Sequence, residues 1–144
     1  MRANLAGSAR RVLIDASAYF ALGDPRDRNH VPARFVARRI INEQLRTYTT
    51  NFVVAEAHAL HVTRIGRGVG LRFLEGLARG ETIVVRVSTS DERRAVQIIR
   101  QYDDKDFSIT DAMSFAVMER LRIGWAFSFD RDFSQYGFPL LSPT

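Results

Sequence analysis

Short apolar runs alternate with helical stretches along this chain, and that alternation narrows the fold more than any other feature. Val12-Leu13-Ile14, Tyr48 to Thr50, the β-branched segment Glu81 to Val87 (ETIVVRV) and Trp125 to Phe129 read as short strands, with Pro139-Leu140-Leu141 as a short last one. Between them the apolar spacing predicts helices over Ala16 to Leu22, Val31 to Leu45, Phe52 to Ile65 and residues 69–79. Two more are expected from Thr89 to Arg100 and onward from Ser108, the last with the stripe Ile109, Met113, Ala116, Val117 and Leu121. Asn51 is expected to cap the helix at Phe52, and Thr89-x-x-Glu92 has the form of a capping box. Strands that alternate with helices argue for an α/β chain, a three-layer α/β/α sandwich around a central parallel sheet.

At 144 residues the chain has the length of one domain, expected over residues 11–144, with residues 1–10 (MRANLAGSAR) as a flexible N-terminal arm. There is no cysteine, which excludes a disulfide framework, a thiolate zinc site and a cysteine nucleophile. Without a secretory leader pattern or an apolar run near the ~20 residues of a spanning helix, the expectation is a cytoplasmic protein with no membrane partner. Lys and Arg total 21 against 16 acids, and Lys105 is the only lysine. Arginine forks suit phosphate, so the bias fits a nucleic-acid partner, although an arginine-rich codon usage accounts for it equally well.

The acids carry more. In open parallel sheets ligands bind beyond the carboxyl ends of the strands, where Asp15 follows VLI and Asp130 follows WAFSF. Glu56 lies one turn into the helix after Thr49-Thr50-Asn51, and Asp111 opens the helix after Ser108. All four sit among apolar residues (LIDAS, VVAEA, ITDAM, FSFD), where a lone ionised acid is costly and a divalent cation offsets the cost. An all-oxygen set favours Mg2+ or Mn2+ over zinc. Each acid also has a plainer role: Asp111 as the third position of a Ser108-x-x-Asp111 cap, Glu56 as a helix former, Asp130 as a turn residue. Asp15, at the end of a buried strand, is the hardest to explain that way.

Taken together, Val12-Leu13-Ile14-Asp15-Ala16-Ser17, Thr49-Thr50-Asn51 to Ala55-Glu56, Thr110-Asp111-Ala112 and Ser128-Phe129-Asp130-Arg131-Asp132-Phe133 resemble the motifs of PIN-domain ribonucleases, most closely the VapC-type toxins of toxin–antitoxin pairs. The resemblance implies a PIN-like fold and a metal-dependent endoribonuclease leaving 5′-phosphate and 3′-hydroxyl ends. It also implies a homodimer silenced by a cognate antitoxin, with RNA as substrate. It carries the catalytic and metal-binding roles onto Asp15, Glu56, Asp111 and Asp130, with Ser17 as an accessory polar residue. Asp132, two residues past Asp130, competes for the place of the fourth acid.

Other readings are weaker. His58 and His61 lack the H-E-x-x-H arrangement of a zinc helix and read as packing residues. Arg10-Arg11, Arg38-Arg39 and Arg93-Arg94 read as solvated faces. A receiver domain wants an acidic pair where Asp15 stands alone, and a haloacid-type phosphatase wants an acid where Ser17 stands. The alternatives that keep the motif are an RNA-processing nuclease without an antitoxin and a PIN-like binding module with little catalysis.

Overall fold

Three consecutive apolar residues make sense only in a strand covered on both faces, and Val12, Leu13 and Ile14 are 0%, 0% and 7% exposed. The computed structural model describes Gly7 and residues 9–144. In it β1 (Arg11–Ile14) is flanked by β2 (Arg46–Thr50) and β4 (Trp125–Phe127), and β3 (Ile83–Val85) pairs outside β2. The sheet is parallel throughout, in the order β3-β2-β1-β4, with Leu13 opposite Tyr48 on one side and Ala126 on the other.

Alternation along β1 and β4 sorts the two cores. Val12, Ile14 and Phe127 pack against α1 (Ala16–Gly23) and α2 (His30–Asn42) through Ala18, Ala21, Ala33, Val36 and Ile40. Leu13 and Ala126 face the opposite layer, built from α5 (Thr89–Gln101), α6 (Ile109–Leu121) and α7 (Asp132–Tyr136). There Phe115 is fully buried and stacks on Tyr136 with ring centroids 4.5 Å apart. Ala16 of α1 meets Val53 and Ala57 of α3 (Asn51–Arg64), and α4 (Arg67–Arg79) packs on α3. The expected three-layer α/β/α sandwich around a parallel sheet is the fold observed.

Strand order positions the site. The chain steps from β1 to β2 to β3 in one direction, then returns to place β4 on the far side of β1. The reversal leaves a crevice between the carboxyl ends of β1 and β4, the place where such sheets bind ligands. Asp15 and Asp130 leave those two ends.

The boundaries differ from the sequence reading for local reasons. The ETIVVRV run shortens to Ile83–Val85, a sheet edge, because Thr82 bonds Thr47 side chain to side chain at 2.7 Å and the Val87 N–H donates to Asn51 Oδ1 at 3.0 Å. Asn51 is thereby engaged elsewhere, and Thr50 caps α3 by accepting the Val53 N–H. The capping box at α5 is Ser88 with Asp91, one residue before the Thr89–Glu92 pair. Residues Pro139 to Leu141 form a single bridge, Ala126 to Leu140, rather than a strand. The expected arm over residues 1–10 lies mostly outside the described residues. Its end is tied down: the Trp125 indole N–H donates to the Ala9 carbonyl at 3.0 Å, and the Arg46 N–H to that of Arg10 at 2.8 Å. No helix among the described residues is long and apolar enough to cross a membrane.

Candidate active site

Asp15 leaves β1 as the residue preceding α1, in extended backbone and 5% exposed. Its carboxylate is held by two serines from opposite ends of the chain. Ser17 Oγ donates to Asp15 Oδ2 at 3.0 Å, and Ser128 Oγ donates to the same oxygen at 2.9 Å. Each hydroxyl is itself aimed by a backbone donor, Phe129 N–H onto Ser17 Oγ and Asp130 N–H onto Ser128 Oγ, both at 3.0 Å. These bonds pull Ser128 and Phe129 out of the expected strand over Trp125 to Phe129. They leave Asp15 Oδ1 without a side-chain partner among the described residues.

The other acids arrive from separate elements. Asp130 follows β4, and its Oδ1 accepts the Asp132 N–H at 3.0 Å, a short turn that sets Asp132 at the start of α7. Asp111 lies in the first turn of α6, where its N–H donates to Ser108 Oγ at 3.0 Å. Glu56 stands on α3 at the rim. Asp15, Glu56, Asp111 and Asp130 line one cleft of about 440 Å3, which Ser17 also lines. Carboxylate oxygens of Asp111, Asp130 and Asp132 lie within 4.8 Å of one another, close enough to share one cation. Asp132 and Asp130 thus both reach the cluster, from opposite sides of one turn.

Like charges held this close disturb one another's titration. Burial raises the Asp15 pKa, the serine hydroxyls and the Ala16 N–H oppose that rise, and the Asp130 charge adds to it. Glu56 is raised by partial burial and then by the charges of Asp15 and Asp130. Asp111 is pushed up to about 8, by burial first, then by a hydrogen bond shared with Asp132 and by the Asp15 charge. The donor set is all oxygen, and Asp15, Glu56 and Asp111 are disfavoured as bare anions. Residues of that chemistry fit a hard divalent cation such as Mg2+ or Mn2+.

Profile comparison matches residues 12–139 to the PIN domain. The chain belongs to the PIN-domain family. Among its PIN relatives, the 23S rRNA-specific endonuclease VapC20 of Mycobacterium tuberculosis is 33% identical over 135 residues, spanning 92% of this chain and 98% of the relative. Ribonuclease VapC26 of the same species is 28% identical over 120 residues, 83% of this chain and 87% of that one. The crystal structure of M. tuberculosis VapC20, a sarcin–ricin loop cleaving toxin, superposes with a TM-score of 0.83 at 29% identity and covers 92% of this chain and 99% of that one. The VapC-type resemblance carried by the four motifs therefore holds across the PIN domain.

Two features of this PIN site were not assigned roles from sequence. Ser128 stood inside the Ser-Phe-Asp motif, but nothing in the linear order links it to Asp15. Arg64 lines the acid cleft from the last turn of α3 and was masked by 20 other cationic residues. Of the two histidines on α3, His61 is a packing residue: it is 1% exposed, donates Nδ1–H to the Ala57 carbonyl and stacks on Phe73 at 4.9 Å.

Proposed function

We propose that this chain is a metal-dependent endoribonuclease acting as the toxin of a toxin–antitoxin pair. The observation that carries the reading is the convergence of acids from four separated segments on one cleft at the sheet's switch point. Asp15, Asp111 and Asp130 would hold a Mg2+ or Mn2+ ion, with Asp132 beside Asp111 and Asp130. When bound, such an ion supplies Lewis-acid activation of water and neutralises charge on the phosphate.

The protein's own groups do the rest. Ser17 and Ser128 fix the Asp15 carboxylate and keep its Oδ2 occupied, so Oδ1 is the oxygen available to a ligand. Glu56, at the rim and with its pKa raised, is placed to accept the proton that the attacking water loses. Water adds to phosphorus as the P–O3′ bond breaks and the departing O3′ takes a proton from solvent, which leaves a 5′-phosphate and a 3′-hydroxyl. The acid cluster repels the scissile phosphate until a cation is present, which makes cleavage, though not binding of the flanking strand, dependent on the ion.

The toxin assignment rests on similarity to VapC20 and VapC26 along most of the chain. We infer from the motif resemblance to VapC-type toxins that its partners are a cognate antitoxin and a second copy of the chain. Val31 and Phe35, one turn apart on α2 and 59% and 50% exposed, offer apolar surface to a protein partner. Ribosomal RNA, the substrate named for VapC20, is the first RNA to test. Purified protein with 23S rRNA should produce discrete 5′-phosphorylated fragments in manganese and none in EDTA. Intact RNA under both conditions would overturn the nuclease reading.

A further inference from the structure

Arg64 is a cation set into an acid cleft, yet it is paired with none of its acids. It lines the same hollow as Asp15, Glu56, Asp111 and Asp130. It takes part in no ion pair among the described residues. Asp27 and Glu56 border that hollow too, and a structural arginine would be expected to close on one of them.

What holds Arg64 is a stack of aromatic rings. Its guanidinium lies over the Phe20 ring at 5.3 Å from the centroid. Phe20 is 7% exposed and packs edge-on against the buried His61 ring at 5.7 Å, and His61 stacks on Phe73. Gly23 lies so close to the His61 ring that a Cβ there would sit 2.3 Å from Nε2, which leaves the imidazole no room to swing toward α1. The platform under the guanidinium is therefore rigid, and the N–H fork remains free for an anion.

The other cations near the acids are less suited. Lys105 borders the adjoining hollow of about 670 Å3, but its Nζ is 3.3 Å from Asp104 Oδ2. Arg131 borders the same hollow and, like Arg64, is exposed, but it lies over no aromatic ring among the described residues.

From this arrangement we infer that Arg64 binds a backbone phosphate of the RNA strand lying in the acid cleft, and so anchors the strand beside the carboxylates. The inference rests on the nuclease reading above and adds to it the residue that holds the substrate. A planar fork over an aromatic ring suits a non-bridging phosphate oxygen pair and is indifferent to base identity. It also offsets the repulsion that the carboxylates exert on an incoming polyanion.

Binding and cleavage test this separately. In EDTA, where the metal-dependent step is absent, fluorescence anisotropy with a labelled single-stranded RNA gives Kd against salt. Arg64→Gln should weaken binding roughly tenfold, as for one charge-assisted contact. It should also make the slope of log Kd against log salt shallower by about 0.7, the value for one phosphate contact on a single strand. Arg64→Lys should restore the slope but not the full affinity, because it keeps the charge and loses the fork. In manganese, Arg64→Gln should raise KM while kcat changes less than about threefold, since the contact exists before and during the reaction. If wild type cleaves RNA and Arg64→Gln matches it in Kd, salt slope and KM, the Arg64 assignment is wrong and the nuclease reading stands. If wild type neither binds nor cleaves RNA, both fall.

Discussion

Ser128 donates its hydroxyl proton to Asp15 Oδ2 at 2.9 Å across 113 residues of sequence, and this bond joins the ends of the two strands that form the crevice. Removing it as Ser128→Ala should raise the Asp15 pKa further, because the lost bond favours the ionised carboxylate. The acidic limb of the rate–pH profile should then move to higher pH, with the rate well above the limb reduced far less. A profile identical to wild type would show that Asp15 does not need this partner.

Asp15→Asn should abolish manganese-dependent cleavage while leaving the far-ultraviolet circular dichroism unchanged, since an amide replaces a carboxylate of nearly the same shape. Activity above about a tenth of wild type, which corresponds to ~1.4 kcal/mol of barrier, would remove Asp15 from the centre.

Asp111 ties stability to pH. Its pKa is raised from 3.8 to about 8, so the folded state prefers the protonated acid and the unfolded state does not. The resulting penalty is absent below about pH 4, grows as pH rises from there through about 8, and is complete above that. Wild type in EDTA should therefore lose melting temperature across this window, and Asp111→Asn should not share that loss. Relief of about 1 kcal/mol would place the variant roughly 3–5 °C above wild type near pH 9, less what the lost charge costs at the start of α6. Millimolar manganese should raise the wild-type melting point and do so far less in the variant. A variant that melts below wild type at every pH would make Asp111 a helix cap and nothing more.

Asp132→Asn separates the roles of the two acids that flank the turn. As an amide it donates a hydrogen bond to ionised Asp111, where a carboxylate forces a proton to be shared, so the Asp111 pKa should fall. Carboxyl carbon chemical shifts followed through a pH titration would read this directly. An unmoved Asp111 titration would place Asp132 outside the cluster.

Most of the layer architecture was legible in the chain because burial on two faces demands continuous apolar strands, as in Val12-Leu13-Ile14, and helices announce themselves by spacing. The strand ends were not. Ser128 and Phe129 follow β4 directly in sequence and read as its continuation, and only their hydrogen bonds to residues near β1 turn them into the site.

The pattern Ser-x-x-Asp occurs at two helix starts, and sequence cannot tell the two apart. At α5 the box closes: Ser88 Oγ accepts the Asp91 N–H, Asp91 Oδ2 accepts the Ser88 N–H, and Arg120 completes the pair at 2.7 Å. Those contacts lower the Asp91 pKa, the Arg120 hydrogen bond most of all. At α6 only the serine half forms, with no cationic partner among the described residues, and the Asp111 carboxyl faces Asp132 and Asp130 instead. The residues themselves determined that an acid would stand at each helix start, because serine caps and the helix dipole favour one there. Which acid became a neutralised cap and which joined a cluster was decided by the fold, through the charges that the strand order brings within reach of each.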